Sequence, residues 1–399
     1  MAQVPLQPGR KGQAVKSFFE APHRPFFPLS ALWALIGGVF WLLSLQGSGP
    51  EYASMAAFHA PMLILGFGGA ATAGFMLTSL PGWTKRPLVS GALLTTLVLA
   101  WALGQIALGF GIATPLVVLF PLALGAVMLR SIYAAKVWPR LWALLAPVAL
   151  GVVALAYMGW PKAAGDWLAL HPQAPVLIYL VLLSLVGARS IIGFGRNFLL
   201  RSERPAPEVA GRWEELLALG FLILGIASYL ATEGALGAVG LLAAAAAQVW
   251  RLRRFWLSPV WREPLLAVLL GGFAWLPIGL FALALARLEI GPLTPKDALH
   301  GLTMGLMGGM IAAMAGRAAA RRVAGALVAR PGLLVACGLI WLATALRMAA
   351  PFWPETAVLV MSTAAALWCL GWLIWLWAFI PALRGPVIRP VLSGSKVSV

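Results

Sequence analysis

Twelve apolar stretches, each of bilayer-spanning length, occupy most of this 399-residue sequence. A helix needs about 20 mostly apolar residues to cross the ~30 Å hydrocarbon core of a membrane. Since only 10% of the residues are charged and 61% are hydrophobic, the composition differs from that of a soluble domain. The sequence therefore predicts an all-α polytopic membrane bundle of about 12 transmembrane helices. The predicted spans lie near 27–46, 57–80, 88–109, 112–134, 139–159, 174–196, 213–232, 234–256, 264–286, 298–320, 330–350 and 355–382.

Basic residues fall almost entirely on one side of these spans. When the chain is threaded with its N-terminus inside, 25 of the 29 Lys and Arg residues lie inside, and the other four are Lys162, Arg287, Lys296 and Arg347. By the positive-inside rule, both termini are expected in the cytoplasm. The net charge of +17 then follows from insertion topology and contact with anionic lipid headgroups of the bilayer. A nucleic-acid partner is not expected.

The chain divides into a cytoplasmic N-terminal segment (1–26), a single transmembrane bundle (27–382) and a cytoplasmic tail (383–399). The first 20 or so residues are polar and basic, so we expect no cleavable signal peptide and an insertion role for the first span. The longest predicted loops have about 15 residues, too few for a soluble domain. Any chemistry is therefore expected within the bundle or at its two mouths.

Histidines supply the first candidate site. His59 opens the second span, His300 opens the tenth and His171 precedes the sixth, all toward the outer face, whereas His23 lies inside. An ionisable side chain at membrane depth is costly and marks a functional hypothesis, and imidazole is a common ligand for haem iron, copper and zinc. The alternative is an interfacial histidine bonded to a carbonyl or to water. Because His59 and His300 enter at the same leaflet, the sequence favours a shared metal site.

The tenth span adds methionine and glycine at helical spacing. From His300, steps of three and four residues reach Met304 and Met307, and an adjoining face carries Gly301, Gly305 and Gly309. A G-x-x-x-G run is typical of close helix packing. It would also leave room for a flat macrocycle, with Met62, Met304 or Met307 as a thioether suited to Cu(I) or to an axial position.

Arginines on the sixth span suggest an anionic partner. Arg189 and Arg196 belong to a segment in which Arg189 lies well within the predicted span. A haem propionate or a lipid phosphate would serve as partner, and snorkelling to the interface is the alternative. No G-x-S-x-G, H-E-x-x-H or P-loop motif is present, and the scarcity of acidic residues in the spans disfavours a carboxylate-relay transporter.

The segments Gly187 to Asn197 and Ala298 to Gly305, together with several shorter motifs, resemble the NnrS family of bacterial membrane proteins over nearly the whole chain. The segment Gly187 to Asn197 is similar to the family's G-G-R-x-I-P-x-F-x-R-N, and Ala298 to Gly305 is similar to its A-L-H-x-L-T-x-G. Further counterparts are Ala21-Pro22-His23-Arg24-Pro25-Phe26-Phe27, His59-Ala60, Gly66-Phe67, Ala73 to Thr84, Arg262 to Leu266 and Trp275-Leu276-Pro277.

This resemblance implies a haem- and copper-containing protein of the bacterial cytoplasmic membrane, associated with denitrification and the response to nitric oxide. The implied cofactors are haem b and copper. His59 and His300 are the candidate metal ligands, and Arg189, Arg196, Arg24 and Met304 are further candidate cofactor-binding residues.

The sequence departs from the family pattern at three places. Where many members read H-A-H-E-M, this chain has His59-Ala60-Pro61-Met62-Leu63. A histidine expected near Leu270 is absent, and the family's G-H-T-G-R stretch reads Ala320 to Gly325. These changes remove part of the implied copper ligand set and leave His59 and His300 for haem.

The resulting hypothesis is binding, sensing or turnover of nitric oxide, with a respiratory-chain electron donor as partner if turnover occurs. A haem-dependent nitric oxide oxidoreductase is the enzymatic form of this hypothesis. Two alternatives belong to other classes of protein. One is a cofactor-free channel or carrier for a small solute along Gly-lined helices, and the other is an accessory subunit of a respiratory membrane complex.

Overall fold

The structure is a computed structural model that describes residues 17–48, 58–110, 115–205, 211–256 and 259–392. These residues are almost entirely helical, and the predicted all-α membrane bundle is confirmed. Within the described ranges, eleven apolar helices are long enough to cross a membrane, and a twelfth has 17 residues. The helices are α1 His23–Leu45, α2 Phe58–Thr84, α3 Gly91–Gly109, α4 Leu116–Ala134, α5 Trp138–Tyr157, α6 Ala174–Arg201, α7 Arg212–Ala231, α8 Ala235–Arg251, α9 Pro264–Arg287, α10 Pro295–Ala319, α11 Pro331–Phe352 and α12 Pro354–Leu383.

The short helix α8 coincides with the predicted span 234–256 but ends earlier. Arg251, Arg253 and Arg254 follow one another closely, and residues Arg253–Trp256 form a separate short helix. Charged side chains are excluded from the hydrocarbon, so they place the end of the apolar segment. A second departure is the loop after α10, which forms a hairpin of two strands, β1 Arg321–Val323 and β2 Ala326–Val328, with Arg321 opposite Val328.

Helices α2, α9 and α10 form the centre of the bundle. The most apolar windows of α2 and α10 are 83% and 78% buried, against 33% for α1. Small residues allow this close packing. A Cβ atom added at Gly272 of α9 would lie 3.0 Å from the backbone carbon of Gly309 in α10. With little hydrophobic driving force between helices in lipid, such backbone contact is a main source of helix association.

Both central helices that carry a candidate histidine contain a π-helical segment. The segment Met62–Gly68 begins three residues after His59, and Gly301–Gly308 begins directly after His300. π-Helices are rare, occur mostly as short bulges within α-helices and are frequent at functional sites. The glycine-rich composition allows this geometry, but hydropathy did not reveal it.

Side chains from three neighbouring helices stabilise the π-helical segment of α2. Its last three carbonyls each accept a hydrogen bond from a buried side chain, so these three polar groups are satisfied inside the bundle. The donors are Trp101 Nε1 to Gly66 O at 3.1 Å, Ser30 Oγ to Phe67 O at 2.8 Å and Tyr179 OH to Gly68 O at 2.9 Å. Helices α3, α1 and α6 therefore fix the segment that follows His59.

The glycine stripe of α10 packs against tryptophan rings. Cβ atoms added at Gly305 and Gly309 of the stripe would meet the indoles of Trp275 and Trp341, and one added at the neighbouring Gly308 would meet the indole of Trp368. The room that these glycines create is therefore filled by side chains of α9, α12 and α11. Close helix packing, one of the two interpretations of the G-x-x-x-G run, accounts for the stripe.

The two ends of the described chain meet at one face of the bundle. Arg24 Nη2 donates to Gly385 O at 2.5 Å, and Ser17 Oγ donates to Leu383 O at 3.4 Å. Helices α1 and α12 also pack together, with Trp368 Nε1 donating to Ala34 O at 2.9 Å. Both described ends thus lie on the same side, as an even number of spans requires.

Candidate metal site at the mouth of the bundle

The structure brings His59 and His300 together. His59 lies in the first turn of α2 and His300 in the second turn of α10, and the two imidazoles are close enough to interact electrostatically. Both rings are half-buried. The juxtaposition is the one that their shared leaflet predicted, and their role as metal ligands stays a prediction.

The ring of His300 is oriented by its own helix. Its Nδ1 lies 2.8 Å from the carbonyl oxygen of Lys296. Since a carbonyl only accepts, Nδ1 carries the proton and Nε2 keeps its lone pair. Histidines that bind metals commonly donate their second ring nitrogen to a backbone carbonyl in this way, which fixes the tautomer and the ring plane.

The ring of His59 has an unsatisfied nitrogen. Its Nδ1 is buried and has no hydrogen-bond partner among the described residues, while the ring packs against Trp41 with centroids 5.0 Å apart. A buried polar atom without a partner costs about 1–3 kcal/mol. This cost is consistent with a ligand that uses the imidazole of His59.

An ion pair borders the two histidines. Arg347 Nη1 of α11 lies 2.8 Å from Asp297 Oδ1, and Arg347 interacts electrostatically with both imidazoles. Asp297 and Thr294 form a reciprocal capping box that begins α10. Sequence reasoning noted Arg347 only as an outer basic residue and missed this pair, although Thr294-Pro295-Lys296-Asp297 carries the signature of a helix start.

Thioethers lie nearby. Met304, one turn after His300, is half-buried and packs against the hydrophobic core. Met348 of α11, which the sequence gave no reason to select, has its sulfur 2.8 Å from the position of a Cβ atom at Gly301. The surroundings of the two histidines therefore combine imidazole, thioether and one internally balanced ion pair.

The predicted arginines lie elsewhere. Arg189 Nη2 is 3.3 Å from Glu215 Oε2 of α7, and its guanidinium lies over the Trp142 ring at 4.7 Å. Arg196 is half-buried two turns further along α6. By the direction of the helix, both are nearer the face where the chain ends meet.

Arg24 also lies at that face and is bound by the protein itself. Its guanidinium donates to Ser17 O and Oγ, to Glu20 Oε2 and to Gly385 O at 2.5–3.0 Å. The partners seen for Arg24 and Arg189 are thus protein groups. A role of the arginines toward a cofactor remains a prediction.

The chemistry of the donor set suits a haem better than a bare metal ion. Within the described part of the chain, no three His, Cys, Asp or Glu side chains converge in a group that could hold a metal ion. Zinc and copper sites in proteins usually take three or more such ligands. A haem iron needs only one or two, because its macrocycle supplies the other four. Two imidazoles, one with an oriented ring and one with an unpaired nitrogen, fit that requirement.

The fold and this site define a class, a multi-pass helical membrane protein with paired histidines at one mouth of the bundle. The family model for the NnrS protein matches residues 17–386, nearly the whole chain. The chain belongs to the NnrS family. None of the curated proteins matches it significantly.

Proposed function

We propose that this NnrS family member binds haem b through His59 and His300 and uses it to bind nitric oxide at the bacterial cytoplasmic membrane. The observation that carries the proposal is that the two imidazoles, which lie near the starts of two central helices, are close enough to interact electrostatically. Its family membership agrees with the resemblance that suggested haem.

The surrounding residues support ligand binding rather than simple packing. The hydrogen bond from His300 to Lys296 leaves Nε2 available, and the Nδ1 of His59 lacks any other partner among the described residues. Both histidines precede π-helical segments. Such segments are frequent at functional sites. In α2, three side-chain hydrogen bonds hold the segment in place.

With one of the two imidazoles as its ligand, a bound haem would offer a position beside the other imidazole for a small diatomic ligand such as nitric oxide. The chain contributes the orientation of His300 through the Lys296 carbonyl and the cover that Trp41 gives His59. Nitric oxide is small and apolar and can approach from the bilayer. Sensing needs no further partner, whereas turnover requires an electron donor of the respiratory chain.

An optical spectrum of the purified protein tests the proposal. We expect a Soret band that shifts when nitric oxide is added to the reduced protein, and that is lost in His59→Ala and His300→Ala. The matched control is His171→Ala, because His171 lies toward the same face but packs against Trp167, with ring centroids 4.8 Å apart. Its spectrum should equal that of the unaltered protein.

Metal analysis of the same samples separates the alternatives. Protein that is folded but free of haem, or a Soret band unaffected by both histidine substitutions, would contradict the proposal. Iron-free, copper-free protein would favour a solute channel or carrier. Metal-free protein that copurifies with an oxidase or reductase would favour an accessory subunit. Copper bound in proportion to the chain, and lost with His59→Ala, would show that the reduced ligand set still holds copper.

A further inference from the structure

A large cavity opens at the face opposite the histidine pair. Its volume is about 610 Å³, and its walls come from the end of α2, the start of α5, the second half of α6 and the C-terminal segment. All the basic residues that line it are assigned to the cytoplasmic side by the distribution of Lys and Arg. These residues are Lys85, Arg86, Arg140, Arg189 and Arg389.

The positive charge around this cavity is not balanced by the protein. Of its five cations, only Arg189 forms an ion pair within the described ranges, with Glu215. No Asp or Glu lines the cavity. Four cations gathered around one space repel one another, and a bound anion would offset that repulsion.

The inner walls are apolar and aromatic. Trp83 and Trp142 pack with ring centroids 5.6 Å apart, and Arg189 stacks on Trp142. Phe194 forms another part of the wall and is held under the guanidinium of Arg317 at 3.9 Å. A ligand that fills the cavity would therefore need an apolar part as well as a charge.

A second, smaller cavity continues the apolar wall toward the bundle centre. It measures about 60 Å³ and shares Phe75 and Val186 with the large cavity. Its far side is formed by α10 residues, among them Met310 and Met314. The two cavities together lead from a cationic mouth into an apolar interior.

We propose that this cavity binds an anionic phospholipid of the cytoplasmic leaflet. The phosphate lies among Lys85, Arg86, Arg140 and Arg389, and the start of an acyl chain lies along Phe75 and Val186. Inorganic phosphate is also an anion but cannot use the apolar walls. The site does not depend on haem, so its test is independent of the function proposed above.

Charge removal gives the first test. In Arg86→Gln/Arg140→Gln two cavity cations are lost. The matched control is Arg130→Gln/Arg262→Gln, since both residues are exposed, are assigned to the same side and do not line the cavity. The two double variants have equal net charge, so general attraction to anionic membranes is the same in both.

A steric variant gives a second test without any change of charge. Gly193 lines the cavity, and a Cβ atom added there meets no heavy atom within 4 Å. Gly193→Leu would fill the space while the helix tolerates the side chain. Gly220→Leu on α7 is the control, because its Cβ position is equally open and lies outside the cavity.

The measurement is native mass spectrometry of each protein after exchange into mixed micelles of phosphatidylglycerol and phosphatidylcholine. We expect one phosphatidylglycerol per chain in the unaltered protein and in both controls. Retention should fall about tenfold or more in Arg86→Gln/Arg140→Gln, which loses two cationic contacts, and in Gly193→Leu.

Three outcomes would overturn the proposal. Equal retention in all variants would place the lipid elsewhere, and equal retention of phosphatidylcholine would remove the role of charge. Displacement of the bound lipid by excess inorganic phosphate, with the same dependence on Gly193 and Arg86, would assign the site to a soluble anion. Circular dichroism of each variant checks that the helices are intact.

Discussion

The two mouths of this bundle differ in whether their cations have partners within the protein. At the mouth with His59 and His300, the cation Arg347 is paired with Asp297, and Arg287 donates to the carbonyls of Tyr229 and Thr232. At the other mouth, four cations around a cavity have no carboxylate partner within the described ranges. Insertion topology explains the surplus of cations on one side, but not their arrangement around an apolar cavity. The paired mouth is suited to neutral ligands and the unpaired mouth to anions.

The largest effect is expected when the ion pair between Asp297 and Arg347 at the paired mouth is broken. Asp297→Asn leaves Arg347 without a counter-ion, and both side chains are only about one-eighth exposed, at 13% and 12%. Removing one partner of a buried pair costs about 3–5 kcal/mol. We expect a large fall in the melting temperature in detergent, and partial recovery in Asp297→Asn/Arg347→Gln.

The control for this prediction is an exposed ion pair at the same face. Lys162 and Asp166 form a contact of 2.8 Å, with side chains 88% and 64% exposed. Asp166→Asn should leave the melting temperature unchanged. If Asp297→Asn behaved like Asp166→Asn, the contrast between the two mouths would be wrong.

A smaller effect is expected at the face where Arg24 joins the two ends of the described chain. Arg24→Gln removes its hydrogen bonds to Ser17, Glu20 and Gly385. Hydrogen bonds to a charged group contribute about 1.5–3 kcal/mol. We expect faster tryptic cleavage at Arg384 and Arg389, measured by mass spectrometry of the fragments. Trypsin treatment of Arg130→Gln, an exposed substitution away from this contact, should match that of the unaltered protein.

Helices α9 and α10 pack closely in the centre of the bundle, between the two mouths. Substitution of a glycine at this contact tests how much the close packing stabilises the protein. Gly272→Ala places a Cβ atom 3.0 Å from the backbone of Gly309 and should destabilise by about 1–3 kcal/mol. Gly338→Ala on α11 is the control, because its Cβ position is open, and a helical Gly→Ala change there should stabilise by up to about 1 kcal/mol. Equal melting temperatures of the two variants would contradict close packing of α9 and α10.

The smallest expected effect concerns pH at the start of α9. Burial raises the pKa of the Glu263 carboxyl above its ordinary value of 4.5, although its Oε2 accepts a hydrogen bond of 2.7 Å from Leu266 N. The folded state therefore binds this proton more tightly than the unfolded chain does. The contribution to stability is present at acidic pH and is lost as the pH rises through the raised pKa.

Glu263→Gln removes the charge and keeps an oxygen that can accept from Leu266. We expect the melting temperature of the variant to vary less with pH above 4.5 than that of the unaltered protein. A steeper dependence in the variant would show that the ionised carboxylate is the stabilising form.

Hydropathy and charge predicted the class of fold because membrane insertion depends on local properties of the chain. Each predicted span matches a helix, and α8 is shorter only because Arg251 lies earlier than the apolar pattern suggested. The sequence could not locate the π-helical segments, because their register depends on donors such as Trp101 and Tyr179 from other helices.

Only those parts of the candidate site that depend on the order of the spans could be predicted from the sequence. His59 and His300 were placed at one leaflet by the order of the spans, and the structure brings them together. Arg189 was expected to need an anionic partner, and the structure supplies Glu215 from the next helix, 26 residues away. Which helices are neighbours is a tertiary property, so neither this partner nor the large cavity followed from the sequence.

The contact between the first and last helices bears on synthesis of the protein. Trp368 of α12 lies against Gly38 of α1 and Gly308 of α10 and donates to the Ala34 carbonyl. Translation proceeds from the N-terminus, so the residues of the first eleven helices are all joined before this tryptophan is added. Until then, α1 and α10 lack their contact with α12. In a chain truncated before α12, the surfaces of α1 and α10 that Trp368 covers would be exposed to lipid. Maturation of the bundle is thus completed by its final helix.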